Sequence, residues 1–253
     1  MSHLYRSRFF KLFIGRRAFI AGLLAIGVAG ACTRETEPGP DMGLEYYPVE
    51  VGAYRIYAVV DSIYQNNTGT ATRFQFRERV DETFIDAAGD SVYRVVRSRR
   101  TTSAQAWRDD SVFVIKTTPN TLLLTRSNRR TVELVFPVRT GRKWNSNAYN
   151  SGDTITAEKR GYDRVGEPFE LATSTQPQRY EQTVTTADTT AYDLFNLNIQ
   201  RQVYAREVGP IHRWRRRYQY GCPPGSPADC SLVPGYRLAG SSRVEMLIEA
   251  GKL

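Results

Sequence analysis

The sequence predicts an all-β domain, and three observations support this fold class. Its hydrophobic residues fall mostly into short alternating runs separated by turn-forming residues, the pattern of strands and hairpins. Its composition is rich in Tyr, Thr, Val and Arg, which favours strands. A helical period is nearly absent beyond the first 31 residues. About ten strands joined by short turns therefore predict an antiparallel meander that forms a barrel, a strongly curved open sheet or a sandwich.

The first 31 residues have the composition of an export signal. Residues 1–17 contain five basic residues and no acid, residues 18–31 are apolar and uncharged, and small residues at 29–31 precede Cys32. A basic region, a short apolar stretch and a small-residue cleavage site describe a signal peptide, because a transmembrane helix needs about 20 apolar residues. We therefore expect an N-terminal signal helix over residues 1–31.

With its cysteine directly after the small residues, this segment resembles the lipobox of bacterial lipoproteins. The resemblance implies cleavage before Cys32, acylation of that residue, and a mature chain that starts there. Position 29 is Ala where the box more often carries Leu. An ordinary cleaved signal with a coincidental cysteine, and an uncleaved short anchor, are the alternatives. Residues 16–20, RRAFI, also resemble the twin-arginine export signature, so both the Sec and the twin-arginine routes stay open.

The predicted signal changes how the net charge is interpreted. The chain has 35 Lys and Arg against 26 Asp and Glu, a formal charge of +9. Five of the basic residues lie in the signal, which leaves 30 against 26 and a charge of +4 for the remainder. Most of the basicity therefore belongs to targeting, and we expect no nucleic-acid partner.

A polar segment separates the signal from the domain. Residues 32–45 contain Pro38, Gly39, Pro40 and Gly43, so we predict a lipid-attached flexible tether there and a β domain over residues 46–253. The domain is long enough for a full core.

The strand pattern is clearest in the first half of the domain. Alternating or apolar runs separated by turn residues predict six strands here: Ala53–Tyr64, Thr72–Ile85, Ser91–Thr102, Trp107–Thr117, Thr121–Arg126 and Thr131–Phe136. The acidic pair Asp109-Asp110 indicates a hairpin turn.

The second half has a sparser pattern. The predicted strands are Asp153–Lys159, Phe169–Ser174, Arg179–Thr186, Phe195–Glu207, Ile211–Tyr220 and Arg237–Glu249. Within the last of them, Arg243–Ala250 is equally compatible with a short helix.

A weak internal repeat suggests two β units. Residues 47–52 and 136–141 share the pattern aromatic-Pro-Val-x-x-Gly, with further aromatic residues after each copy. Proline suits a strand entrance, and glycine suits a tight bend with positive φ. The repeat predicts units of about 46–135 and 136–253 that share one sheet system. Two unrelated turns are the alternative.

The repeat carries a second resemblance. Together with Tyr204–Ile211, YAREVGPI, it looks like a loose set of lipid-anchored, β-rich envelope proteins of bacteria, in which a similar segment leads into one of the last strands. That group offers no catalytic residues to carry over.

Two cysteines remain once Cys32 is assigned to lipid. Cys222 and Cys230 lie in GCPPGSPADC, where prolines and glycines favour a tight return, so we predict a disulfide between them. Zinc is the competing interpretation, but seven intervening residues do not match the usual ligand spacing and no second pair exists.

The domain has few of the residues that catalytic sites require. Its one histidine is His212, which argues against histidine-rich metal centres and leaves a Ser-His-Asp triad only that base. Nucleotide-binding glycine motifs, a GxSxG elbow and EF-hand loops are absent from the sequence. We therefore expect no catalytic residue, no metal site and no cofactor, although two distant carboxylates in a hydrolase would leave no sequence spacing.

The most unusual segment is His212–Tyr220, HRWRRRYQY. Read as a strand, it places Arg213, Arg215 and Arg217 on one face and its aromatic residues on the other. One interpretation is an aromatic core face with a solvated basic face. The other is a cationic stripe for an anionic lipid, a glycan or an envelope protein partner, extended by Arg97, Arg99, Arg100, Arg129 and Arg130 if their strands are adjacent.

These observations lead to three functional hypotheses. The first is a protein of the cell envelope, anchored through Cys32 to the outer rather than the inner membrane, whose β domain serves binding or structure. The second is a carrier that holds a lipid or another hydrophobic ligand in a half-barrel cavity. The third is an envelope hydrolase that uses carboxylates. A large apolar cavity would favour the second, and two carboxylates in a polar cleft would favour the third.

Overall fold

A computed structural model describes residues 39, 41–152, 156–172, 177–188, 193–230 and 232–253. The chain divides into a unit of residues 1–40 and a unit of residues 41–253, and the structure below is that of the second. The predicted signal, Cys32 and the tether up to residue 38 lie outside the described residues.

The described residues of the second unit form twelve strands and one short 3₁₀ helix, Leu44–Tyr46. The strands are β1 Ala53–Gln65, β2 Thr68–Ile85, β3 Ser91–Arg100, β4 Arg108–Thr117, β5 Thr121–Arg126, β6 Arg129–Val135, β7 Lys143–Asn145, β8 Lys159–Leu171, β9 Gln178–Asp188, β10 Asn196–Ala205, β11 Gly209–Tyr220 and β12 Arg237–Lys252.

All twelve strands belong to one antiparallel sheet. Their order is β6-β5-β4-β3-β2-β1-β12-β11-β10-β9-β8-β7, which is two six-stranded meanders joined where β1 pairs with β12. The first and last strands of the sheet are therefore β6 and β7, which follow each other in the chain. The predicted unit boundary at residue 136 falls in the segment between them.

The two edges of the sheet approach each other and nearly close it into a barrel. The Val132 amide donates to the Ser146 carbonyl over 2.9 Å, and the Trp144 indole donates to the Val132 carbonyl over 2.9 Å. The all-β prediction is confirmed, and of the three predicted architectures the sheet is nearest to a barrel. Closure gives the sheet an inner face, so side chains of distant strands can meet there.

Differences from the predicted strands are concentrated in the second half. The structure adds β7 and extends β8 back to Lys159, whereas residues 156–158 are not in a strand. Asp109 and Asp110 lie within β4, and the turn precedes them at residues 101–107, so the predicted turn was wrong by several residues. The ambiguous segment Arg243–Ala250 lies within β12 because it pairs with β1 over its whole length.

Both copies of the repeated pattern place an aromatic residue in one core. Tyr47 and Phe136 are buried in the same hydrophobic cluster, together with Phe113, Leu134 and Tyr162. The repeat glycines adopt the positive φ that the pattern predicts, +87° at Gly52 and +77° at Gly141. A second cluster contains Tyr57, Phe74, Phe76, Ile211 and Leu247, among others.

The end of the predicted tether packs against the barrel. The Met42 carbonyl accepts a hydrogen bond from the Val138 amide over 3.1 Å, and Asp41 and Glu45 both contact Arg206, at 3.0 and 3.4 Å. Residues 41–45 therefore belong to the folded unit. Their polar composition concealed this, because their contacts are to residues more than 90 positions away.

The disulfide is present as predicted. Cys222 and Cys230 are bonded, with their Cα atoms 6.3 Å apart. The bond closes the connection between β11 and β12, where the Val233 amide also donates to the Gly221 carbonyl.

Candidate functional site

A cavity of about 160 Å³ lies inside the barrel and has a strongly charged lining. Strands of both meanders contribute to it, since its residues come from β3, β5 and β6 as well as β10, β11 and β12. Five arginines and two glutamates line it: Arg97, Arg126, Arg213, Arg215, Arg243, Glu133 and Glu245. Ionisable groups are rarely buried without partners, so each of these charged side chains is expected to have an ion-pair or hydrogen-bond partner.

Three of these lining residues, Arg97, Arg213 and Glu245, form a buried network with Glu78, which is not itself part of the lining. The Glu78 carboxylate accepts hydrogen bonds from Arg213 Nη1 and Nη2 over 2.8 and 3.0 Å, and from Arg97 Nε over 3.1 Å. Arg213 Nη1 also donates to Glu245 Oε2 over 3.0 Å, and Arg97 Nη1 lies 3.7 Å from Glu245 Oε1. Two guanidinium groups thus alternate with two carboxylates, and β2, β3, β11 and β12 each contribute one.

The network fixes the ionisation of its central carboxylate. Burial alone would raise the pKa of Glu78, but the positive charges and hydrogen bonds of Arg213 and Arg97 outweigh burial and hold that pKa well below its ordinary value. Glu78 is therefore ionised at neutral pH and acts as a fixed anion between two cations.

A second buried group contains the lining residue Glu133 and, like the first, joins strands of both meanders. Arg160 Nη1 donates to Glu133 Oε2 over 3.1 Å, and Gln202 Nε2 donates to the same oxygen over 3.2 Å. Burial would raise the pKa of Glu133, but the positive charge of Arg160, together with hydrogen bonds, outweighs burial and lowers that pKa. The Tyr204 hydroxyl donates to Gln202 Oε1 over 2.7 Å, which orients that amide.

Two cavity arginines have no carboxylate partner among the described residues. Arg126 stacks over the Phe113 ring at 4.4 Å from its centroid, and its Nε is buried without a hydrogen bond. Arg215 makes neither an ion pair nor a side-chain hydrogen bond, and its strand neighbour across the ladder is another cation, Arg243. Arg243 pairs with Asp61 through Nη2, whereas its Nε is also buried and unbonded.

Burial and neighbouring cations both act on these two guanidinium groups. Burial, followed by the charge of Arg97, lowers the pKa of Arg126 to about 10. Burial, followed by the charges of Arg217 and Arg243, lowers the pKa of Arg215. Arg126 still carries a full charge at neutral pH, so the cavity holds an excess of positive charge that its own carboxylates do not neutralise.

The arginines of β11 occupy three different environments. Arg213 is ion-paired in the network with its side chain 16% exposed, Arg215 is half-buried at the cavity, and Arg217 is exposed and bonded to Asn198 Oδ1 over 3.2 Å. The predicted solvated stripe is thus not one continuous surface. Arg97 meets Arg213 through Glu78, although β3 and β11 are not adjacent in the sheet.

The aromatic residues of β11 do not form one buried face either. Arg216 stacks over Trp214 at 4.2 Å from the ring centroid, and Tyr218 is buried against Tyr64 at 5.3 Å. His212 stacks on Phe169 with ring centroids 5.9 Å apart, and burial lowers its pKa. Among the described residues, the contact of this ring is with an aromatic side chain, as in a packed residue.

Sequence reasoning missed most of the cavity. Arg126, Arg243, Glu78, Glu133 and Glu245 lie in ordinary strand patterns, and no spacing connects them. The sequence could have indicated these residues only as charged positions on one face of an alternating strand. The alternation does not say which of the two faces lies inside the barrel, so it could not assign them to the cavity.

The described residues contain no group of three or more His, Cys, Asp and Glu arranged to hold a metal ion. In the same residues, no helix has the length and apolar character needed to cross a membrane. Comparison of the chain with protein-family models, with curated proteins and with solved structures finds no match.

Proposed function

We propose that this chain is a lipid-anchored protein of the bacterial cell envelope whose β barrel binds a ligand without catalysing a reaction. The nearly closed barrel is compatible with a binding or a structural domain. The observation that favours binding is the cavity itself, because it contains charged groups that the fold leaves unneutralised at Arg126 and Arg215. A purely structural core would gain stability by replacing such groups with apolar ones.

The cavity does not favour a carrier of hydrophobic molecules. A carrier needs a large apolar cavity, whereas this cavity has about 160 Å³ and five arginines in its lining. Burying an acyl chain there would desolvate cations without giving them partners, which is unfavourable.

The cavity also does not favour a hydrolase. A carboxylate pair for glycoside hydrolysis needs one member with a raised pKa as the acid. The cavity carboxylate Glu133, and Glu78 in the network beside the cavity, have lowered pKa values because arginines contact them. Burial raises the pKa of Asp188, but this residue does not line the cavity.

The anchor is proposed from the sequence. Cys32 follows the small residues of the export signal, and acylation there would attach the protein to a membrane, since two or more acyl chains suffice for stable binding. We place the protein at the outer membrane, after export by the Sec or the twin-arginine route. Anionic lipids, glycans and envelope proteins are the partner classes compatible with a cationic cavity.

Replacing the cysteine tests the anchor. Cys32→Ser in the full chain, expressed in a bacterial host, should abolish palmitate labelling and shift the protein from the membrane to the soluble fraction. The matched control is the double variant Cys222→Ser, Cys230→Ser, which should keep both label and membrane attachment. A Cys32→Ser protein that stays in membranes with its leader intact would refute the anchor.

A further inference from the structure

We propose that the barrel cavity is an anion site in which Arg126 and Arg215 bind a phosphate or carboxylate group of a small ligand. This inference rests on the proposed binding function and adds the chemical class of the ligand. It requires a surplus of positive charge, directed donors, and space for a ligand beside them.

The charge surplus follows from the ion pairs. Arg97 and Arg213 share Glu78 and Glu245, and Arg243 pairs with Asp61, while Glu133 is neutralised by Arg160. Asp188 also lies 3.6 Å from Arg160 and is not one of the lining residues. Among the described residues, Arg126 and Arg215 make no ion pair, although the charges of Glu78 and Glu245 reach Arg126, and those of Glu245 and Asp61 reach Arg215, at longer range.

One donor group and the backbone of the other are held in place before a ligand arrives. The Arg126 guanidinium group stacks on Phe113, and the backbone of Arg215 lies on a strand that is paired on both sides. A guanidinium group presents several N–H donors in a rigid fork that matches the oxygens of a carboxylate or a phosphate. The Nε atoms of Arg126 and Arg243 are buried without a hydrogen bond among the described residues.

The size of the cavity limits the ligand. About 160 Å³ accommodates a small anionic group but not a lipid chain or a folded segment of another protein. Gln200 and Gln202 also line the cavity and supply neutral amides, which suit a polar molecule around the anionic group.

Titration calorimetry on the full chain in detergent, in a chloride buffer, tests the site. Inorganic phosphate and citrate are the probes, because they separate phosphate from carboxylate recognition. We expect at least one probe to bind, and Arg126→Gln and Arg215→Gln each to weaken its affinity about 10- to 100-fold. The matched control is Arg217→Gln on the same strand, which should bind as the original protein does.

Stability measurements separate loss of a ligand contact from loss of the fold. Without ligand, both cavity variants should unfold at the same or a higher temperature than the original protein, since each removes an unneutralised, partly buried charge. If a glutamine variant fails to fold, Arg126→Lys keeps the charge without the fork and should bind more weakly than Arg126.

Three results would overturn the anion site. The first is that neither probe binds at millimolar concentration. The second is that folded Arg126 and Arg215 variants bind the probe with unchanged affinity. The third is that Arg217→Gln loses as much affinity as the cavity variants do. Because none of these measurements depends on acylation, the anion site can fail while the anchor stands, and the converse also holds.

Discussion

At the scale of single residues, most of the charged side chains inside this barrel form ion pairs with one another. Glu78 is 3% exposed and Arg97 is 5% exposed, so neither can be hydrated if its partner is lost. Replacing a whole buried pair with apolar residues is often neutral, but removing one member leaves a desolvated charge, which is strongly destabilising. The network therefore makes each member sensitive to mutation without proving that the network itself adds stability.

We predict that Glu78→Gln lowers the free energy of unfolding by about 3–5 kcal/mol, because Arg97 and Arg213 would share one remaining carboxylate. Urea denaturation at neutral pH measures this. Glu181→Gln removes an exposed partner of Arg179 and serves as the control, with little expected change. A loss below about 1 kcal/mol for Glu78→Gln would contradict the prediction.

The same variant gives a pH test of the lowered pKa of Glu78. A carboxyl group with a depressed pKa in the folded state stabilises the protein above its unfolded pKa of about 4.3, and this stabilisation is lost as the pH falls towards the folded value. The difference in stability between the original protein and Glu78→Gln should therefore be full at pH 7 and shrink below pH 4. A difference that is constant with pH would exclude ion pairing as its cause.

At the scale of elements, β11 shows how pairing partners assign different roles to one regular pattern. Across the ladder, Arg213 faces Glu245, Arg215 faces Arg243, and Arg217 faces Ser241. The first pairing places a carboxylate beside Arg213, and the second places two cations side by side. The third gives Arg217 a neutral neighbour, and its side chain is exposed. The alternation along β11 is regular, so the difference arises entirely from β12 and from the barrel interior.

The connection from β11 to β12 is the element that the disulfide constrains. Reducing the Cys222–Cys230 bond, or replacing both cysteines with serine, should cost about 2–3 kcal/mol of stability, because a loop of this length gains conformational entropy when it is opened in the unfolded chain. Thermal denaturation with and without dithiothreitol measures the loss. The serine variant should no longer respond to the reductant, and an unaffected original protein would contradict the prediction.

At the scale of the whole molecule, closure of the sheet depends mainly on side chains. Among the described residues, one hydrogen bond between backbone groups joins the β6 edge to the segment after β7, from the Val132 amide to the Ser146 carbonyl. The other hydrogen bonds across this seam involve side chains, such as the Trp144 indole with the Val132 carbonyl and the Tyr162 hydroxyl with the Val135 amide. Trp144 also packs on Tyr162, with ring centroids 4.8 Å apart. Because a seam with few backbone-to-backbone hydrogen bonds opens at lower free energy than a regular strand ladder, we expect local opening to begin there.

We predict that Trp144→Phe destabilises the protein by about 1–3 kcal/mol and increases hydrogen exchange at the Val132 amide, since it removes the indole donor and part of the packing. Trp107→Phe is the matched control, because Trp107 contacts Arg77 and Arg100 away from the seam. Exchange at Val132 that is unchanged in Trp144→Phe would show that the indole does not hold the seam closed.

The positions of the strands along the chain were predictable from the sequence only in part. The six strands of the first half were located to within a few residues because each has an alternating run bounded by turn residues. β7 was missed because three residues carry no period, and most of β8 was missed because Gly161, Gly166 and Pro168 interrupt its pattern. A strand with such residues is held by its neighbours, here β9, rather than by its own propensity.

Local features of the sequence determined the β class, most strand positions, the two positive-φ glycines and the Cys222–Cys230 pairing, because each depends on residues near one another in the chain. Tertiary structure alone decided that Arg213 and Arg215 would line the barrel cavity while Arg217 is exposed, since alternation defines two faces without saying which one is inside. The carboxylates that bind Arg213 lie on β2 and β12, and Glu78 is 135 residues away from it. Pairing of β1 with β12 joins the two meanders and brings these strands together, and the same fold leaves Arg126 and Arg215 without an ion pair among the described residues.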